Sequence, residues 1–313
     1  YGTVTGVQTC ALPILADTIR DAVLNPDDVK HEKKHDKKSE KQRLKKEKKA
    51  AKNQSDEQLL KRRVYVLDFH GDLRASATDA LREELSAVLR LAGSGDEVLV
   101  RLESGGGLVH SYGLAASQLR RVIDHGVPLT VAVDKVAASG GYMMAAVADK
   151  IVAAPFAIIG SIGVVAGLPN FHRVLKKHEV DYYLFTAGKY KRTVTPLGEV
   201  TEEGQEKMQQ DLEAIHHSFK KLIVDHRKEI DIEEVATGEF WLAEEAKEKG
   251  LVDEILTSDD YLFDKMKDFE IIEITTEDSR NRIEKLLQGG IELFQSFGRR
   301  TSLEDSEIPG LIR

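Results

Sequence analysis

The sequence predicts an α/β fold built on a mainly parallel sheet, and three observations predict it. Apolar runs of strand length alternate with helical periodicities between Val64 and Ala146. Glycine-bearing turns close two of those strands at their carboxyl ends, at Ser104-Gly-Gly-Gly107 and Ser139-Gly-Gly141. Strand–helix units in succession join by right-handed crossovers, which stacks βαβ units on one parallel sheet. At 313 residues the chain has ample length to bury such a core.

The elements follow in order. Val64-Tyr-Val-Leu-Asp-Phe-His70 reads as a buried strand. Leu81, Leu85, Val88 and Leu89 recur at helical spacing in a helix over 76–91, with Ser76 or Thr78 as its N-cap. Glu97 to Leu102 is a second strand, followed by a helix from Val109 to Asp124 and a strand over Leu129–Val133. A helix leaves the Ser139 loop. Lys150–Ala154 and Ile158–Ala166 are apolar and glycine-punctuated, and Asp181–Thr186 reads as a strand delivering the chain to Lys191. Thr201 opens a long helix to about Lys228, Leu242–Lys249 is a short helix closed by Gly250, and Leu251–Ile255 is a strand. A helix after Thr257, a strand over 270–275 and an amphipathic helix over 279–297 complete the chain.

Charge divides the chain unevenly. Lys30 to Arg63 carries 15 Lys/Arg against 6 Asp/Glu, a balance of +9, which leaves −17 on the remainder of a chain whose net charge is −8. An acidic body argues against electrostatic capture of nucleic acid, so no nucleic-acid partner is expected. Cys10 is the only cysteine and can form no internal disulfide. No apolar run reaches the ~18 residues of a membrane span. Val4 to Ile14 resembles the translation of a common sequencing-library adapter, so residues 1–14 are set aside from fold reasoning. The expected organisation is residues 15–63 as a Lys-rich juxtamembrane spacer, 64–258 as the working domain and 259–313 as a C-terminal extension.

Chemistry centres on Ser139 and Lys191, 52 residues apart. Ligands collect beyond the carboxyl ends of parallel strands, where both glycine turns fall. A serine hydroxyl needs a base to become a nucleophile. His172 follows a surface turn, His216 and His217 lie in a polar helix and are expected to face solvent, and His110 is a minor candidate. Lysine serves only when neutral, which near pH 7 costs roughly 4.6 kcal/mol against a free pKa of about 10.4. Burial supplies effects of that size. Tyr190, Val194 and Leu197 make Lys191 a candidate for a desolvated position, with Lys189 as rival. Gly140, at a helix N-terminus, and Gly107 or Gly106 in the glycine turn are candidate oxyanion donors. Leu108, Val109, Tyr142, Met143 and Met144 are candidates for a substrate pocket wall, the methionine pair reading more naturally as core. The glycine turn lacks the Gly-Lys-Ser/Thr ending of a phosphate-binding loop. No metal and no cofactor is expected.

Arg101-Leu-Glu-Ser-Gly-Gly-Gly107, Asp134-Lys-Val-Ala-Ala-Ser-Gly-Gly-Tyr-Met-Met-Ala145, Gly160-Ser-Ile-Gly-Val164 and Gly188-Lys-Tyr-Lys191 resemble the signal peptide peptidase A family. The resemblance runs from about Val64 to Ser258, with four separated motifs in order. It implies a Clp-protease/crotonase-like fold and a Ser/Lys dyad, with Ser139 as nucleophile, Lys191 as base and Ser161 as the hydroxyl holding the lysine amine. Gly140 and Gly107 correspond to the oxyanion donors. Where the family often has Ser-Pro-Gly-Gly, this chain has Ser104-Gly-Gly-Gly107, which keeps the donor glycines but loosens the turn.

The resemblance further implies a homo-oligomeric ring whose neighbouring subunits share the dyad, acting on peptides or membrane-associated polypeptides such as remnant signal peptides. It also implies a bacterial inner-membrane location through an anchor preceding the basic arm, with the positive-inside tendency favouring the cytoplasmic side. Two other readings stay open from the residues alone. One is a catalytically silent scaffold of the same fold, and the other is a crotonase-like acyl-CoA enzyme.

Overall fold

The computed structural model describes residues 62–93 and 95–276, together with the short strand Val7–Thr9. Strand β1 is Val7–Thr9, β2 Arg63–His70, β3 Glu97–Glu103, β4 Leu129–Val133, β6 Lys150–Ala153, β9 Glu254–Ile255 and β10 Glu270–Ile274. They form one sheet in the order β1-β10-β2-β3-β4-β6-β9. Every pairing from β10 to β9 is parallel, and only β1 runs antiparallel, against β10. The α/β class and its parallel sheet are as the alternating pattern predicts.

Side-chain alternation splits the core in two. Tyr65, Leu67 and Phe69 of β2 with Val98, Val100 and Leu102 of β3 face the helices α1 (Thr78–Val88) and α2 (Val109–Asp124). Val64, Val66 and Leu99 point to the opposite face, beside Ile271 of the neighbouring strand, where Tyr261 and Leu262 of α8 (Ser258–Lys265) cover them. Strands buried on both faces read as continuous apolar runs, which is why β2, β3 and β4 were legible. Glu97 is buried on the α8 face, where its carboxylate accepts from Thr130 Oγ1 (2.7 Å) and Tyr261 OH (2.5 Å) and pairs with Lys265.

A second, three-stranded sheet carries the chain to the site. Its order is β5 (Val136–Ala138), β7 (Ile158–Gly160) and β8 (Phe240–Leu242), with β5 and β7 parallel. Helix α3 (Gly140–Ala146) starts one residue after β5 and is buried throughout. The long helix α5 (Glu202–His226) follows Thr201, whose side chain caps it by accepting from the Gly204 N–H at 3.1 Å. The short helices α4 (His172–Lys177), α6 (Ile232–Val235) and α7 (Ala243–Glu248) complete the described chain. Gly250, at φ +77°, ends α7 with the Leu251 N–H returning to Ala246 O.

Several expectations are corrected. Neither Ser76 nor Thr78 caps α1; Ser76 is instead held by Asp72, which accepts from its N–H and its hydroxyl. Leu251–Ile255 shortens to the two-residue β9, because Leu251 and Val252 are spent packing into the core. Asp181–Thr186 is no strand, and every residue from Asp181 to Arg192 is exposed. Part of the stretch assigned to a C-terminal extension, α8 and β10, belongs to the main sheet and its cover. Val7–Thr9, within the segment set aside, pairs with β10. The Lys-rich spacer up to residue 61 and the helix expected over 279–297 lie outside the described residues. No described helix is long and apolar enough to cross a membrane.

Candidate active site

Ser139 occupies the single-residue turn between β5 and α3, at φ 52° and ψ −118°. A serine at positive φ is strained, by about 1–3 kcal/mol, and such outliers persist only where the surroundings hold them. Here the Ser139 N–H donates to Gly160 O (2.8 Å), while its own carbonyl accepts from the Met143 N–H (2.9 Å). Ser161 follows β7 as Ser139 follows β5, also at positive φ, with its N–H held by Glu239 O. The parallel register pairs Ala138 with Gly160, so the two serines leave adjacent strands side by side.

The glycine turn packs directly on this corner. Gly106 has φ +86°, and a Cβ there would lie 2.6 Å from the Gly140 nitrogen. At Gly107 a Cβ would meet Leu73 O at 2.2 Å, and at Gly140 the Tyr112 ring at 2.4 Å. Only glycine fits at these three positions. Neither the Gly107 nor the Gly140 N–H has a hydrogen-bond partner among the described residues, and both residues line the cleft with Ser139. Two unpaired N–H groups beside a hydroxyl are the donors a developing oxyanion needs.

Ser104 anchors the turn, a role that sequence reading missed. It is buried, its backbone bonds to Val136 O and to the Ala138 N–H, and its hydroxyl meets Tyr112 OH at 2.6 Å. The Gly106 N–H donates to Ser104 Oγ, and Tyr112 OH donates to Asp72 O at 2.8 Å. The signal was Tyr112 on the apolar face of α2, but nothing local says where its hydroxyl ends.

Two compartments meet at Ser139. One, of about 370 Å³, is lined by Leu108, Val109, Met143, Met208, Ile215 and Phe219 among others, and it is mainly apolar. The other, of about 710 Å³, holds Ser139, Ser161, the glycine turn, His216 and Thr237. Leu108 and Val109 line the apolar compartment, and so does Met143, which the sequence reads more naturally as core. Tyr142 does not: it is fully buried, outside the cleft, and its hydroxyl donates to Leu251 O at 3.0 Å. Burial drives its pKa up. Met144 is core. His216, expected to face solvent, lies in the cleft wall.

Lys191 is exposed and lines neither compartment, so a single chain does not bring it to Ser139. The desolvated position expected from its apolar neighbours is not formed within one chain, because Tyr190 and Leu197 are themselves exposed. Lys189 pairs with Glu203 at 2.7 Å, on the surface. Among the described residues no cluster of His, Cys, Asp or Glu is arranged to hold a metal ion.

Residues 13–119 match the pattern described as peptidase family S49 N-terminal, and residues 121–271 match that of peptidase family S49. The chain belongs to peptidase family S49. It is 56% identical over 257 residues to a protein named Probable protease SohB from Haemophilus influenzae, covering 82% of this chain and 69% of that protein. A protein of the same name from Buchnera aphidicola of Acyrthosiphon pisum is 54% identical over 214 residues, 68% of this chain and 64% of that one. Another, from Buchnera aphidicola of Schlechtendalia chinensis, is 54% identical over 202 residues, 64% of this chain and 66% of that one. The chain thus spans about two thirds of the length of these relatives. As an S49 peptidase it has its strained serine, glycine turn and cleft on the family-matched body, with the Gly107 turn in one matched region and Ser139 in the other.

Proposed function

We propose that this S49 peptidase cleaves polypeptides through an acyl-enzyme on Ser139, with Lys191 delivered from a neighbouring subunit as general base. The observation that carries this reading is the corner at Ser139. A strained serine faces a cleft beside two unpaired N–H groups, and no lysine of the same chain lines that cleft among the described residues.

The neutral Lys191 amine takes the Ser139 proton as Oγ attacks the substrate carbonyl. Gly140 and Gly107 N–H groups bind the oxyanion, and Ser161, level with Ser139 at the end of the adjacent strand, orients the amine. The lysine then returns the proton to the leaving amine, and water releases the acyl group by the reverse sequence. The segment bearing Lys191 exposes Val165, Phe171, Val174, Tyr183, Phe185 and Tyr190. Apolar surface on that scale is what a subunit contact buries. Burial in such a contact would also supply the desolvation the base requires.

The apolar compartment suits an apolar side chain next to the cleaved bond. Substrates in this reading are peptides or membrane-associated polypeptides, remnant signal peptides among them. The chain would work at the bacterial inner membrane, on the cytoplasmic side, with the basic spacer near anionic headgroups.

The test mixes two dead variants. Ser139→Ala and Lys191→Ala, each inactive alone, are unfolded and reassembled together. Random mixing leaves about a quarter of subunit contacts with an intact Ser139 facing an intact Lys191, so about a quarter of wild-type activity returns. A fluorophosphonate probe labels Ser139 in the wild-type assembly and not in Ser139→Ala. Properly assembled mixtures with no recovered activity would rule out a shared dyad.

A further inference from the structure

The three-stranded sheet is apolar on both faces. Ala137, Ile159 and Trp241, level with one another on β5, β7 and β8, are buried in the main core. The residues flanking them alternate to the opposite face, where Ile158 pairs with Leu242 and Phe240 lies opposite Gly160. Ile158, Phe240 and Leu242 are exposed, and Phe156, two residues before β7, is 83% exposed. A sheet with one solvated face ordinarily turns polar side chains to water. β8 is also the last strand of its sheet, and no described strand pairs with its outer edge. This face ends at the site, because Gly160 precedes Ser161, whose N–H donates to Glu239 O at 2.6 Å.

A contiguous apolar patch rimmed by charge marks a docking surface, and the same chain carries its counterpart. The segment 171–192, which bears Lys191, exposes Phe171, Val174, Tyr183 and Phe185. It holds six Lys/Arg against two Asp/Glu, a balance of +4. The stretch 233–250, which includes β8 and α7, holds six Asp/Glu against two Lys, a balance of −4, and all six acidic residues are exposed. Opposite charge around two apolar surfaces steers their encounter and fixes its register. One surface of each subunit meeting the other surface of the next is a heterologous contact, the kind from which rings close. We infer that the outer face of the β5-β7-β8 sheet receives the lysine-bearing segment of a second copy of this chain. Resting on the shared-dyad reading above, this docking puts the incoming segment beside Ser161, where the Lys191 amine has to arrive.

The experiment cross-links the assembled full chain. With Cys10→Ser in both, Phe240→Cys and Phe185→Cys variants are assembled together and treated with a short bismaleimide. A covalent dimer forms in the mixture, and neither variant cross-links alone. In sedimentation velocity, Phe240→Glu with Leu242→Glu moves half-assembly to an about 100-fold higher concentration, the size of losing two central apolar anchors. Phe156→Glu, at the rim, moves it about 10-fold and carries the test should the double variant misfold. A wild-type midpoint in the folded variants, with no mixed cross-link, overturns the inference. So does Phe240→Cys cross-linking to itself, which would set two sheet faces together. An intact assembly that no longer binds phosphatidylglycerol vesicles overturns it as well, by giving the face to the membrane. The mixture of Ser139→Ala and Lys191→Ala reads the shared dyad separately. Recovered activity without a mixed cross-link sinks the docking face alone, whereas assembled mixtures with no recovered activity sink both.

Discussion

Ser139 and Ser161 leave adjacent parallel strands at the same register, just after the Ala138–Gly160 pair, and both take positive φ, 52° and 50°. Residues 22 positions apart in sequence thus enter one compartment side by side. Two strained serines at one sheet end suit the proposed pairing of a hydroxyl nucleophile with a hydroxyl that orients its base.

If strain is stored at Ser139, glycine should relieve it. Ser139→Gly is expected to be about 1 kcal/mol more stable than Ser139→Ala in urea titration, because only glycine adopts that φ freely. Both variants should be dead to the fluorophosphonate probe. Equal stability would mean that the turn is not strained in solution.

Ser161→Ala should lower kcat by about 10- to 100-fold, the range for losing one hydrogen bond to a group that becomes charged. Labelling should slow in proportion while the thermal midpoint barely moves. A wild-type kcat would remove Ser161 from the mechanism.

The glycine turn allows a sharper contrast. Gly107→Ala puts a methyl 2.2 Å from Leu73 O, so the turn must shift and the oxyanion donor with it. Activity should fall about 100-fold or more, the cost of one oxyanion donor. Gly113→Ala, in α2 with nothing within 4 Å of the added carbon, should instead gain roughly 0.5–1 kcal/mol of stability. Steady-state kinetics and urea midpoints on the pair separate the site effect from a general one.

Tyr112→Phe removes the hydroxyl joining Ser104 Oγ to Asp72 O. Unfolding free energy should drop by about 1–3 kcal/mol, since Ser104 is buried and loses a partner. The kcat should fall as well, because the Gly106 turn hangs on Ser104. Loss of stability with undiminished kcat would show that the turn holds itself.

Acid stability should depend on Asp253. Burial pushes its carboxyl pKa up, but donors from the Arg227 guanidinium and the Ile151 N–H outweigh burial and hold it below the ordinary 3.8. A depressed folded-state value means the contribution is fully present above about pH 3.8 and is lost as pH falls through the folded value. Asp253→Asn should therefore cost about 1 kcal/mol at pH 7, discounted for its partial exposure, and progressively less in acid. Urea midpoints measured from pH 7 downward check this; a gap that widens in acid would contradict it.

Much of this was readable along the chain. Period-2 and period-3.6 patterns reflect which face of each element meets the core, so β2, β3, β4, α2 and α5 fall where residue spacing places them. Asp181–Thr186 misled because an apolar run becomes a strand only if an edge pairs with it, and none of the described strands does. Tyr142 misled for a related reason: α3 is buried all round, so closeness to Ser139 in sequence says nothing about facing the cleft.

The sequence by itself determined the pattern of strands and helices, the glycine turns and the candidate nucleophile, because each depends on residues within a few positions of one another. Only the tertiary structure decided which side chains converge. The Ser139–Ser161 register, the Ser104–Tyr112 anchor, the inward turn of His216 and the stranding of Lys191 on an exposed segment all follow from contacts between distant segments, and those contacts are set by packing rather than by local propensity.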